Sequence, residues 1–250
     1  MRKQRIDVLL VERGLAASRA RAQALVMAGA VVAGEARVDK PGQLVDPALP
    51  LRVKEDAAPQ RYVSRGALKL ERALAVLPID PRGKVCADLG ASTGGFTDLL
   101  LQRGAARVYA VDVGYGQLHA RLRGDPRVIV RERVNARHLD AQALGGPVDL
   151  VTGDLAFISL RLVLPAVRAI LRPGGDAVLL VKPQFEVGKG EVGKGGVVRD
   201  DARRIAALED VKRAAVALGF EVVGSTESPI EGPAGNREWL LALRAPAAAP

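Results

Sequence analysis

The chain has 250 residues, 48% of them hydrophobic and 26% charged, enough for a small module followed by a larger domain and too apolar for wholesale disorder. One cysteine, Cys86, and two histidines, His119 and His138, exclude an internal disulfide and argue against a cysteine- or histidine-built metal centre. The longest uncharged apolar stretch, residues 24–34, has 11 residues, where a spanning helix needs about 20.

The net charge of +9 suits a polyanionic partner, and it is uneven. Through Arg72 there are 14 basic and 8 acidic residues, a net of +6; the remainder has 23 and 20, a net of +3. The alternative is a solvated basic surface with no partner. Glu12 and Arg13 interrupt the apolar run of the N-terminus, so no secretion signal is expected and a reducing, cytoplasmic location follows.

Residues 1–56 predict a compact α+β module. A helix over 6–13 closes at Gly14, and Ser18 caps a second over 19–28 that Gly29 ends. Residues 31–32, 37–38 and 51–53 read as short strands, with turns at Gly34 and Gly42. Arg19 and Arg21 leave the start of the second helix, where free backbone N–H groups also favour anions. A polar, proline-bearing linker at 57–61 follows.

Over 62–245 the pattern alternates. A helix over 64–77 precedes a buried strand at 84–88, then a glycine loop and a helix through Arg103. Strands follow at 108–113, 127–130, 149–153, 176–182, 220–225 and 238–243, with helices at 160–171 and 201–218. Arg172-Pro173-Gly174-Gly175 reads as a stop signal between helix and strand. The implied class is α/β: a Rossmann-like, mostly parallel sheet with helices on both faces. Residues 246–250 are expected to form a frayed tail.

Asp88-Leu89-Gly90-Ala91-Ser92-Thr93-Gly94-Gly95-Phe96 joins a buried strand to a helix at the carboxyl edge of that sheet, where such folds bind cofactors. Its G-x-x-x-G-G spacing is not the dinucleotide fingerprint, and no phosphate-loop lysine follows. Asp112 ends the next strand, where an acid can accept both hydroxyls of a ribose. Together they point to a nucleoside cofactor without a pyrophosphate, S-adenosylmethionine; a structural turn in another fold is the alternative. Asn135 is placed with the same group of residues. Cys86, inside a strand, reads as core.

Asp154 and Lys182 end two further strands at the same edge, Lys69 lies on the helix before the first strand, and Glu238 begins the last. Among 9 lysines and 28 arginines the strand-end cation is a lysine, the one of the two that can give up its proton. Singly, each of the four reads as a surface charge; their value lies in convergence.

These four residues resemble the Lys-Asp-Lys-Glu tetrad of the FtsJ-like ribose 2′-O-methyltransferases. More closely, Arg61-Tyr62-Val63-Ser64-Arg65-Gly66, Gly153-Asp154-Leu155-Ala156-Phe157-Ile158-Ser159, Lys182-Pro183-Gln184-Phe185-Glu186, Gly195-Gly196-Val197-Val198-Arg199-Asp200 and Ser228-Pro229-Ile230-Glu231-Gly232-Pro233 resemble the TlyA family. The module with Arg5-Ile6-Asp7, Ser18-Arg19 and Gly29-Ala30-Val31 is similar to that family's S4 RNA-binding domain. The likeness runs from about residue 5 to 243 and departs at Asp201-Ala202-Arg203-Arg204, where a histidine is expected near the arginines.

The resemblance implies methylation of a cytidine ribose in ribosomal RNA of one or both subunits, without a metal or a stable protein partner. Lys182 would be the base for the 2′-hydroxyl and Asp154 would fix it, while Lys69 and Glu238 position the hydroxyl. Arg5, Arg19 and Lys40 would contact phosphates in the S4-like module, with Arg65, Arg133 and Lys189 extending that surface. An aromatic content of 3% favours folded RNA read by shape over a single strand. Residues 187–196, rich in glycine and lysine, are either a loop that closes over substrate or an ordinary surface loop. Only four residues precede Arg5, which hints at a narrower substrate range.

Two rival readings carry different expectations. Members of this family also bear the name hemolysin; a membrane-lytic protein would need a spanning segment, a secretion signal or a long amphipathic helix, and the sequence offers none. A non-catalytic ribosome-binding factor would bind cofactor and ribosome without methyl transfer.

Overall fold

The computed structural model describes residues 3–16, 18–27, 29–38, 40–53, 61–188, 190–193, 195–232 and 235–247. The expected linker residues 57–60 and Lys189 lie outside them, as does the side chain of Arg21. The chain divides into two compact units, residues 1–61 and 62–250.

In the first unit, β1 (Gln4–Arg5) leads into α1 (Ile6–Glu12) and α2 (Arg19–Met27), followed by β2 (Val31–Ala33), β3 (Ala36–Arg37), β4 (Leu44–Val45) and β5 (Leu51–Val53). Strand β2 pairs antiparallel with β3 and β5, and β1 pairs with β4. Ile6, Leu9 and Leu10 of α1 meet Ala22, Leu25 and Val26 of α2 over Val31 and Ala33, forming a core of its own. The β1–β4 pair was not expected from the sequence, because two-residue strands carry no readable periodicity.

The second unit contains α3 (Ala67–Val76), β6 (Val85–Leu89), α4 (Gly95–Gln102), β7 (Arg107–Asp112), α5 (Ala120–Arg123), β8 (Val128–Glu132), β9 (Val148–Gly153), α6 (Leu164–Ile170), β10 (Leu171–Val181), α7 (Pro183–Glu186), α8 (Asp201–Ala217), β11 (Glu221–Glu227) and β12 (Trp239–Arg244). Among the described residues the sheet has seven strands in the order β11-β12-β10-β9-β6-β7-β8. The five from β10 to β8 are parallel, and β12 runs antiparallel to both of its neighbours.

Side chains alternate across this sheet. Ala87, Leu89, Val151 and Leu179 join one core with α6 and α8; Cys86, Leu150, Val178 and Leu180 join the other with α3 and α4. Both faces are therefore covered, which is why the strands read as continuous apolar runs.

Two expectations need correction. Residues 172–175 do not separate a helix from a strand that starts at 176: Leu171 already pairs with Val148, and the register shifts before Asp176 pairs with Leu150. The Pro-Gly-Gly run is accommodated as an irregularity inside β10, at the amino edge of the sheet. The expected tail at 246–250 is anchored at its start, where Pro246 accepts a hydrogen bond from Gly174 N–H at 3.1 Å. Residues 248–250 lie outside the described ones.

Candidate active site

Every parallel strand presents its carboxyl end at one edge, and the chemistry-bearing residues collect there. A cavity of about 650 Å³ opens at this edge, lined among others by Asp88, Gly90, Ala91, Ser92, Thr93, Gly95, Phe96, Asp112, Asn135, Asp154 and Lys182. Its size and its mixture of apolar walls and a few acids fit a nucleoside-sized ligand.

The glycine loop is shaped by close approach. Gly90 has φ +78°, and a Cβ there would lie 2.8 Å from the backbone oxygen of Asp154. Gly94, at φ +98°, starts α4 and does not itself line the cavity; a Cβ would strike Leu118 and Leu122. Asp112 holds the loop from the next strand, accepting from Ser92 N–H at 2.8 Å and from Gly114 N–H at 2.7 Å. Each of its oxygens keeps a second acceptor site for a ligand hydroxyl. Asn135 is exposed, and its side-chain oxygen caps the turn at Arg137 N–H (3.0 Å).

Asp88 is 1% exposed. It accepts from Thr97 N–H (2.9 Å), Thr97 Oγ1 (2.7 Å) and Thr152 Oγ1 (3.2 Å). Burial pushes its carboxyl up to about 7, because those hydrogen bonds offset only part of the lost hydration. The thiol of Cys86 is fully buried and pushed up to about 12 by the same cause, as suits a core residue.

Lys69, Asp154, Lys182 and Glu238, brought together from four separate segments, form one chain of charges. Lys182 Nζ lies 2.5 Å from Asp154 Oδ1, Asp154 Oδ2 lies 3.5 Å from Lys69 Nζ, and Lys69 Nζ donates to Glu238 Oε2 at 2.6 Å. Lys69, Lys182 and Glu238 are buried, and Asp154 is partly exposed toward the cavity. Two cations and two anions cancel, so the cluster can be buried without a net charge. Oε1 of Glu238 is buried and accepts no hydrogen bond from the described residues. Acids at the opposite edge behave differently: Asp149 and Asp176 pair with Arg172, and with Lys84 and Arg244, as structural ties.

The residues expected to bind RNA are less uniform. Arg5 and Arg19 both contact Asp7, Arg5 through Nε and Nη2 (3.0 and 2.9 Å) and Arg19 through Nε (3.0 Å). Gln23 Nε2 donates to the same carboxylate at 2.9 Å, making Gln23 the third residue that binds it. Asp7 has no exposure, and its bond to Arg5 above all holds its carboxyl well below the usual carboxylate range. The two arginine side chains remain 45% and 57% exposed. Lys40 and Arg65 are exposed, as is Arg133, which stacks over the ring of Tyr115 at 4.5 Å. The described part of the 187–196 loop is held by turns, and Asn236 ties it down through Gly196 O and Val198 N–H.

Sequence reasoning missed three groups. Asp7 was legible only as part of a motif, since nothing in a sequence says that a carboxylate gathers two arginines. Phe157, 92% exposed at φ +64°, lines the cavity, and Tyr115 is 70% exposed. Glu186 and Ser159 stand inside sequence motifs that give neither a role of its own; they bond to each other at 2.6 Å. An aromatic content of 3% concealed the fact that two of the rings are displayed rather than buried.

Among the described residues, no helix is long and apolar enough to cross a membrane. The FtsJ-like methyltransferase model matches residues 62–245, and the S4 domain model matches residues 4–49. The chain is 52% identical over 243 residues to the 16S/23S rRNA (cytidine-2′-O)-methyltransferase TlyA of Mycobacterium tuberculosis, covering 97% of this chain and 90% of that one. It is 37% identical over 189 residues to the 23S rRNA (cytidine-2′-O)-methyltransferase TlyA of Campylobacter jejuni, covering 75% and 73%. A solved structure from Streptococcus thermophilus that bears the name hemolysin superposes with a TM-score of 0.77 at 45% identity, covering 100% of this chain and 90% of that one. By sequence and by fold the chain belongs to the TlyA family, an S4 domain followed by an FtsJ-like methyltransferase domain.

Proposed function

We propose that this protein transfers a methyl group from S-adenosylmethionine to the ribose 2′-hydroxyl of a cytidine in ribosomal RNA. Residues 1–56 serve as the RNA-binding module, 57–61 as linker, 62–245 as the methyltransferase and 246–250 as tail. The observation that carries the reading is the chain Lys182–Asp154–Lys69–Glu238 beside the glycine-loop cavity. The two relatives named for cytidine-2′-O methylation of rRNA support the substrate.

The cavity suits the cofactor: the backbone at Gly90 approaches without a side chain, and Asp112 lines the cavity as an acceptor for ligand hydroxyls. Asp88, Gly90, Ala91, Ser92, Thr93, Gly95, Phe96, Asp112, Asn135 and Asp154 would hold it, with Gly94 shaping the turn. When bound, S-adenosylmethionine supplies an activated methyl for in-line transfer.

A ribose hydroxyl is a poor nucleophile until its proton is removed. Lys182 Nζ, once it has lost its own proton to solvent, would take that proton as the hydroxyl oxygen gains the methyl and the methyl's bond to sulfur breaks, the cofactor leaving as a neutral thioether. The resulting ammonium sits 2.5 Å from Asp154 Oδ1, which stabilises it. Lys69, held by Glu238 and Asp154, places a positive charge where the oxyanion develops. Arg5, Arg19 and Lys40 of the first unit contact phosphates in this reading, and Arg65, Arg133 and Lys189 contact RNA from the second. The exposed ring of Phe157 offers an apolar face to a nucleobase at the cavity.

Transfer of labelled methyl to purified 30S and 50S subunits tests this, wild type against Lys182→Ala. Label in rRNA that disappears in the variant is expected. No label on either subunit or on whole ribosomes, with cofactor binding confirmed, overturns the reading and favours a ribosome-binding factor. Haemolysis by purified protein that survives Lys182→Ala would favour the membrane-lytic reading.

A further inference from the structure

Asp154 and Lys182 directly follow the neighbouring parallel strands β9 and β10, and their charged groups lie 2.5 Å apart, a separation that depends on how the two following segments are held. After Asp154 the chain forms a loop whose backbone passes through φ +64° at Phe157, a conformation costly for a residue with a side chain. After Lys182 it forms α7, started by Pro183 and ending at Glu186.

One carboxylate joins the two segments. Glu186 Oε1 accepts from Leu160 N–H at 2.7 Å, and Oε2 accepts from Ser159 Oγ at 2.6 Å. Arg161 Nε lies 3.5 Å from Oε2, and Arg161 Nη2 donates to the Glu186 carbonyl at 3.0 Å. The ring of Phe157 packs on that of Phe185 at 5.5 Å. The Glu186 side chain is 1% exposed, so these bonds compete little with water.

We infer that Glu186 is a positioning residue for methyl transfer: it latches the strained Asp154–Arg161 loop to α7 and so fixes Asp154 against Lys182. It touches neither substrate nor cofactor and acts through Asp154. The inference rests on the reading of Lys182 and Asp154 given above. Leu160 N–H, left without its acceptor, would draw the loop toward water, and a displacement of about 1 Å at Asp154 suffices to cost on the order of a hundredfold in rate.

The test compares Glu186→Ala, Glu186→Gln, Ser159→Ala and Lys182→Ala in methyl transfer to ribosomal subunits, with cofactor affinity and near-ultraviolet circular dichroism recorded well below the unfolding midpoint. Glu186→Ala is expected to lower kcat about ten- to a hundredfold, with the KM for subunits and the Kd for S-adenosylmethionine changed less than about fivefold. Glutamine keeps an acceptor for Leu160 N–H and is expected to restore kcat to within about fivefold of wild type. Wild-type kcat in folded Glu186→Ala overturns the inference. If the alanine variant does not fold, Ser159→Ala decides: a several-fold loss of kcat at unchanged melting temperature supports the latch, and an unchanged kcat sinks it. Full transfer by Lys182→Ala would instead overturn the underlying reading of the site.

Discussion

Asp7 in the N-terminal unit and Asp154 in the C-terminal unit each hold two cations, yet the cations differ in kind and in exposure. Asp7 is buried beneath two arginines that stay about half exposed, so permanent charges are presented at a fixed spacing. Asp154 sits between two buried lysines at the edge of a cavity. Arginine keeps its proton and suits phosphate binding; lysine can surrender its proton and suits transfer. In the proposed function the same carboxylate device would serve affinity in one unit and chemistry in the other.

Swapping the cation breaks the comparison most sharply. Lys182→Arg keeps a cation there and removes the proposed base, so methyl transfer is expected to fall by about 10²- to 10⁴-fold with cofactor binding retained. Single-turnover transfer and calorimetric titration of S-adenosylmethionine measure the two separately.

Asp7→Ala is the matching change in the other unit. Losing the anchor is expected to weaken subunit binding about tenfold at moderate salt and to leave kcat at saturating substrate unaltered. The variant also gains one unit of net positive charge. Tighter binding would show that net charge, not arginine geometry, governs the contact.

Asp88 yields a smaller, pH-dependent effect on stability. Its folded value of about 7 stands above the ordinary 3.8, so the unfolded chain releases this proton first as pH rises. Its contribution is full below about pH 4 and is lost progressively up to about pH 7, a swing on the order of 4 kcal/mol. Melting temperatures of Asp88→Asn and wild type should therefore diverge in favour of the variant between pH 5 and pH 8. A constant difference would refute the sign. Cys86, buried and with its thiol pushed up to about 12, is expected to react with a thiol reagent only as fast as the protein unfolds.

The sequence alone determined the two-part plan and the carboxyl-edge placement of Asp88, Asp112, Asp154 and Lys182, because buried strands and glycine turns impose local patterns that can be read in order. It also placed Asp200 before a long helix, where its side chain caps Ala202 and Arg203. Local signals failed where pairing was short or irregular, as in β1–β4 and the Leu171–Asp176 shift. Only the tertiary structure decided which charges meet. Lys69 and Glu238 are 169 residues apart in sequence and 2.6 Å apart in space. The Asp7–Arg19 contact and the Glu186 latch belong to the same class. Spacing along a chain carries no information about a contact that exists only after a sheet and its covering helices have closed, and the short distances between these groups arise from that packing.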